Sequence, residues 1–378
     1  MELEFSDEQD ELREGVRSVL ARECPMSVVR DVVEKGVAPD GLWAHMVELG
    51  WPALTVPEDA GGLGLGMVEL AVVVEELGRV MAPGPFLPTV TQFAPAIREA
   101  GSSEQRARFL AAIVNGESTG ALALTEAGGS YDPARVNATA APDGDGDGVV
   151  LAGAKDAVLG APGADEIVVV ARRPGSVGDE GVGAYVVARG TLAIEPIASI
   201  DPSRGLARLT LDGARVGRDR ILGEPGPATA AALRRAVDEA TTALALEMVG
   251  TCQTIFDVTL EYAKHREQFG VAIGSFQAIK HKFADMLVLL ERARATGYFA
   301  ALTIAEDDDR RGIAVASAKA AAGDCARLLA KEGIQIHGGI GYTWEHDMHL
   351  YVRRARAGGA LFGTTPDHRA KVADLLGL

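Results

Sequence analysis

Three short segments carry residue types suited to holding a diphosphate: Arg266-Glu267-Gln268-Phe269-Gly270, Gly274-Ser275-Phe276-Gln277 and Gln335-Ile336-His337-Gly338-Gly339-Ile340-Gly341-Tyr342. An arginine offers a planar fork of donors that matches phosphate oxygens. Glycines at 338 and 339 let a backbone come close to a ligand that a side chain would hold off. The alternative reading of Arg266 and Gln268 is a cap cluster at a solvated helix end. A second chemistry lies in carboxylates. Removing a proton from a carbon acid needs a carboxylate whose pKa burial has raised. Glu247, between Leu244, Ala245, Leu246, Met248 and Val249, has that apolar neighbourhood. Glu239 and Asp238 are the runners-up, in more polar company with Arg234 and Arg235. The ordinary alternative for any of these acids is an ion pair on a bundle helix.

The elements that position these residues can be read from periodicity. Residues 6–119 read as helices with Gly/Pro breaks. Ser6 caps one, Asp40 opens another, Val68 to Met81 carries a third and Ser102-Ser103-Glu104 caps a fourth. Val56 to Gly64 is a glycine loop, read as a structural turn because no strand–helix dinucleotide unit surrounds it. Residues 120–222 change to short β-type runs at Val149-Val150-Leu151, Ile167 to Val170, Ala184 to Val187 and Leu206 to Leu211. Asp143-Gly144-Asp145-Gly146-Asp147-Gly148 resembles a calcium loop but lacks the twelfth-position glutamate, so it reads as a hairpin turn. Ala228 to His265, Phe276 to Ala305 and Gly312 to Ile336 are long helices of the kind found in bundles, with Phe269-Gly270 expected to end the first.

R-x-Q-F-G followed by Q-x-x-G-G-x-G-Y, late in a chain of 378 residues, resembles the two flavin-anchoring signatures of the acyl-CoA dehydrogenase family. The order helices, β, helices is similar to that family over essentially the whole chain. The resemblance implies an α+β fold: an N-terminal helical domain (1–119), a middle β-barrel (120–222) and a C-terminal four-helix bundle (223–378). It also implies FAD, an acyl-CoA substrate, electron-transfer flavoprotein as acceptor, and a homotetramer or heterotetramer. Arg266, Gln268, Phe269, Gln277, Gln335, Gly338 and Gly339 would serve the FAD of a neighbouring subunit. Leu124-Thr125-Glu126-Ala127-Gly128-Gly129-Ser130-Tyr131-Asp132 resembles the family's T-E-P-x-x-G-S-D loop. That places Leu124, Thr125, Ser130 and, in a later segment, Thr364 at the flavin, with Ser130, Asp238 and Arg234 toward the CoA thioester.

Two departures matter. The strand that reads K-x-W-I-T-N in the family is Lys155-Asp156-Ala157-Val158-Leu159-Gly160 here, without its flavin-facing tryptophan and threonine. The C-terminal Y-E-G-T segment that carries the usual base is Leu361-Phe362-Gly363-Thr364, and the second family position aligns with Ala240. Glu247 lies seven residues beyond Ala240, within roughly 20° of the same helix face, and is the expected base, with Glu239 as runner-up. Three readings stay open: an active dehydrogenase using Glu247, a half-catalytic or non-catalytic subunit of a heteromeric dehydrogenase, and a flavin oxidase or monooxygenase on the same scaffold. The missing glutamate and tryptophan suggest room for a bulky acyl group such as a steroid side chain.

Composition narrows the remaining classes. A net charge of −16 and aromatics at 5% argue against nucleic-acid binding. Cys24, Cys252 and Cys325 form no CxxC pair and read as reduced thiols, and no metal-ligand spacing is present. No secretory signal is visible, and no apolar stretch is expected to span a bilayer, so the expected location is the cytoplasm.

Overall fold

The computed structural model describes residues 5–144 and 146–378. Met1 to Glu4 and Asp145 of the expected hairpin turn lie outside the described residues.

Helix α1 (Asp7–Glu23) opens on a reciprocal capping box in which Ser6 and Gln9 satisfy each other's backbone N–H. After α2 (Met26–Lys35) and α3 (Asp40–Glu48), α4 (Met67–Arg79) follows the glycine loop. A single turn, α5 (Phe86–Pro88), continues through π-helical Thr89–Phe93 into α6 (Ala94–Ala100). Helix α7 (Ser103–Val114) starts at a second capping box, Ser102 with Gln105.

Among the described residues ten strands follow: β1 (Gly120–Ala123), β2 (Thr139–Pro142), β3 (Val149–Ala152), β4 (Ala154–Leu159), β5 (Glu166–Arg172), β6 (Val182–Ala188), β7 (Ala193–Pro196), β8 (Leu206–Thr210), β9 (Ala214–Val216) and β10 (Ile221–Leu222). They hydrogen-bond as a seven-stranded sheet, β10-β6-β5-β2-β3-β9 with β1 parallel to β5, and a three-stranded sheet, β4-β8-β7. Val, Ile and Ala fill both faces of β5 and β6, as a doubly covered sheet requires.

The long α8 (Pro227–His265) ends before a two-stranded hairpin, β11 (Glu267–Gln268) and β12 (Val271–Ala272). Phe269-Gly270 therefore forms the corner of that hairpin and does not end the helix. Both residues have positive φ, 56° and 79°, the backbone that a two-residue hairpin turn demands. Helices α9 (Gln277–Ala305), α10 (Arg311–His337), α11 (Met348–Ala360) and α12 (Thr365–Leu375) complete the chain. An 18-residue window of α8 is apolar enough to cross a bilayer, contrary to the sequence expectation, but 72% of it is buried inside the protein, as in a core helix.

Packing divides the chain into two units. One combines the residues through Gly36 with Met67–Ala82 and Thr241–Leu378; the other combines Val37–Gly66 with Pro83–Ala240. In the first unit α4 carries a buried cluster of charges. Its buried Glu75 takes hydrogen bonds from Arg13 (3.2 Å), Tyr298 (2.6 Å) and Arg294, while Glu76 binds Arg17 at 2.7 Å. Gly78 and Gly250 let α4 and α8 cross closely: a Cβ on Gly250 would overlap the Glu75 carbonyl, and one on Gly78 the Glu247 carbonyl. In the second unit one core joins Phe93, Ile97, Phe109 and Leu110 to Val168, Val186, Leu233 and Ala236, and another lies among Leu151, Ile167, Tyr185 and Leu209.

Candidate active site

The two glycine- and arginine-bearing motifs meet at one end of the helical unit. Tyr262, one turn before Arg266, stacks on His337 with centroids 4.5 Å apart, and its hydroxyl donates to the His337 carbonyl at 3.4 Å. His337 also bonds the Gly333 carbonyl through Nδ1 at 2.7 Å, and burial holds its pKa below the usual imidazole value. It is a packing residue that joins α8 to α10. Phe276, just before Gln277, lies edge-on to Phe269 at 6.2 Å. The hairpin, the start of α9 and the end of α10 thus form one surface carrying Arg266, Gln268, Phe269, Gln277, Gln335, Gly338 and Gly339, all exposed. Phe269 is 93% exposed at a positive φ, an unfavourable place for an aromatic residue unless another surface covers it. Among the described residues no carboxylate lies within ion-pair distance of Arg266, so its guanidinium is available to an anion. This donor set fits the diphosphate end of a dinucleotide.

In the sheet-bearing unit, Thr125 leads from β1 into the Ala127 to Ser130 loop. Its Oγ1 donates to the Asp156 carbonyl and retains acceptor capacity, while the Asp156 N–H donates to the Thr125 carbonyl at 2.9 Å. Leu124 and Thr125 are buried, and Ser130 is half-buried, its Oγ accepting the Asp132 N–H at 3.2 Å. Where the family's tryptophan would stand, Ala157 has φ 52°, and the β4–β8 register shifts between Lys155 and Val158. Asp238 is half-buried on α8. Arg234 is engaged by Asp179 (2.5 Å) and Asp132 (3.2 Å), which raise its pKa. A CoA phosphate would have to compete with both aspartates.

Both candidate carboxylates of α8 are engaged in ion pairs. Glu247 is fully buried, and its Oε1 accepts the Arg354 Nε–H at 2.6 Å, with the Arg354 side chain only 3% exposed. Arg354 also donates to the Ala82 carbonyl at 3.2 Å. The apolar sequence neighbourhood of Glu247 is real, but a tertiary partner from α11 occupies the carboxylate. A base at Glu247 would have to act from within this pair with Arg354. Glu239, the runner-up, is also buried and ion-paired, to Arg98 of α6, which donates to the Thr55 carbonyl as well. Thr364 is exposed, and its hydroxyl bonds Asp367 at 2.6 Å in the capping box of α12. Phe362, buried at φ 55°, has its carbonyl bonded to His368 Nε2 at 2.7 Å, and Lys319 Nζ donates to the Gly363 carbonyl at 2.9 Å. Arg354, Arg98 and Lys319 carry no sequence signal because only tertiary packing pairs them with their targets, 107, 141 and 44 residues away.

The description "Acyl-CoA dehydrogenase, N-terminal domain" matches residues 6–117 and "Acyl-CoA dehydrogenase, C-terminal domain" matches residues 230–376. Acyl-CoA dehydrogenase IpdE2 of Mycobacterium tuberculosis is 34% identical over 94% of this chain and 93% of its own length. The chain belongs to the acyl-CoA dehydrogenase family. It is thus an FAD-dependent oxidoreductase of that family. Acyl-CoA dehydrogenase FadE34 of the same organism is also 34% identical over 95% of this chain, which spans 46% of the length of that relative. Among solved structures, the Tcur3481-Tcur3483 steroid ACAD G363A variant superposes with a TM-score of 0.87 at 32% identity, covering 98% of each chain. Against the dehydrogenase pattern, Phe362 and Ala240 stand at both positions where a base is expected.

Proposed function

We propose that this chain is one half of a heteromeric FAD-dependent acyl-CoA dehydrogenase, with the α-proton base supplied by a related partner chain. The observation that carries this reading is the fate of the carboxylates. Phe362 and Ala240 cannot accept a proton, and Glu247 is sealed in a buried pair with Arg354. Two comparisons support it: this chain matches about half of FadE34, and the steroid enzyme resembled here has a two-part name.

In the assembled enzyme Arg266 and Gln268 bind the diphosphate of an FAD held mainly by the partner. Phe269, Gln277 and Gln335 enclose its adenosine end, and Gly338 and Gly339 leave room for the approach. FAD supplies the acceptor for the β-hydrogen when bound. In this chain's own middle region Leu124, Thr125 and Ser130 line the flavin-facing edge, while Ser130, Asp238 and Arg234 point to the CoA arm. The complex passes electrons to an electron-transfer flavoprotein in the cytoplasm. Loss of the glutamate and tryptophan leaves space for a bulky acyl group, such as a steroid side chain.

Purification alone and with a co-expressed related chain, followed by anaerobic titration with acyl-CoA esters from butyryl to steroid thioesters, tests the proposal. Flavin bleaching only in the co-expressed complex is expected. One FAD per chain in the isolated protein, bleached by a thioester, would overturn it.

A further inference from the structure

Lys155 is among the largest wholly buried side chains of the protein, a rare setting for a lysine. From β4 its Nζ donates to the Leu124 carbonyl at 3.1 Å and to Glu126 Oε1 at 2.6 Å. Glu126 is itself held by three N–H groups: Ala138 N at 2.9 Å on Oε1, and Asn137 N at 2.7 Å and Nδ2 at 3.1 Å on Oε2. Thr125, between the two residues Lys155 touches, is bonded to Asp156 through both its backbone and its hydroxyl. Every residue from Leu124 to Glu126 is therefore fastened to Lys155-Asp156, beside the β4 irregularity where Ala157 takes a positive φ.

A buried lysine–glutamate pair is commonly no better than apolar residues of the same volume. Its yield is a fixed geometry for the groups it touches. Burial pushes the ammonium pKa down to about 8, opposed by Glu126, so the lysine still carries its charge at neutral pH.

We infer that Lys155, acting with Glu126, is a positioning residue that sets the Leu124–Glu126 edge for the flavin pyrimidine ring. This rests on the flavin role proposed above for Leu124 and Thr125. The pair supports the loop from beneath and not from beside the ring. Lys155 touches no substrate; it acts through the loop.

The test compares Lys155→Met with the double variant Lys155→Met/Glu126→Gln in the assembled, FAD-loaded enzyme. Hydrogen exchange of residues 122–128 is followed in the chain without flavin, beside denaturation midpoint, FAD affinity and flavin absorption bands in the complex. Lys155→Met should speed loop exchange and weaken FAD at least tenfold. The double variant removes the uncompensated charge, so its denaturation midpoint should recover while the weak FAD affinity and shifted bands remain. Recovery of FAD affinity together with the midpoint would reduce the pair to a structural role and overturn the inference. So would a single variant with normal exchange, affinity and spectrum. A wild-type complex that takes up no FAD would instead overturn the flavin reading on which the inference depends, and is told apart by the exchange data.

Discussion

Substituting Glu247 with glutamine separates a structural carboxylate from a catalytic one. The side chains are nearly isosteric, so packing against Leu244 and Met248 is preserved, but the buried Arg354 guanidinium loses its counter-charge. The Ala82 carbonyl, which accepts from Arg354 at 3.2 Å, is neutral. Breaking one side of a buried pair costs about 3–5 kcal/mol, because an uncompensated charge stays in a medium that solvates it poorly. An unfolding entropy of about 2.1 cal/mol/K per residue over 378 residues is roughly 0.8 kcal/mol/K, so the melting midpoint should fall by about 4–6 °C. Replacing both partners with apolar residues, Glu247→Leu with Arg354→Met, should restore most of that loss. Flavin reduction per folded complex, measured by anaerobic stopped flow, should stay within a few-fold of wild type. Normal stability in Glu247→Gln with a rate loss of about a hundredfold or more, the lower range for removing a general base, would show that the carboxylate is the base after all.

Arg266→Ala removes charge-assisted bonds worth roughly 1.5–3 kcal/mol, so FAD retention by the complex should drop about tenfold or more while circular dichroism is unchanged. Gly250→Ala drives a methyl group into the Glu75 carbonyl and should destabilise by roughly 1–3 kcal/mol in denaturant titrations, since α4 and α8 must move apart. Burial lowers the His368 pKa to about 4 from its usual 6.5, so the folded state binds fewer protons between those values. Stability from this group is complete above about pH 6.5 and is lost as pH falls toward 4. His368→Gln, which can still donate to the Phe362 carbonyl, should flatten that part of the pH–stability curve by at most roughly 3 kcal/mol.

Local signals carried much of this architecture. The capping residues Ser6 and Ser102, the uninterrupted apolar periodicity of α8, α9 and α10, and the β-branched runs of β5 and β6 are short-range features, and the structure contains each of them. The Arg266 and Gln335 motifs stand out in the sequence by residue type and spacing, and the structure brings both to one end of the helical unit. Strand β1, Gly-Ala-Leu-Ala, has no β-branched residue, and its strand state comes from parallel pairing with β5, which no local pattern encodes. The extent of helix α8 is legible in its apolar periodicity, and the partner of its buried carboxylate is not. Flanking leucines imply burial for Glu247 but say nothing about the partner waiting there, and an arginine 107 residues later turns a candidate base into half of an ion pair. The same holds for Glu239 with Arg98 and for Lys155 with Glu126. Periodicity determines which residues go inside, because the hydrophobic effect is non-directional. Which charge meets which depends on distances that only the folded chain defines.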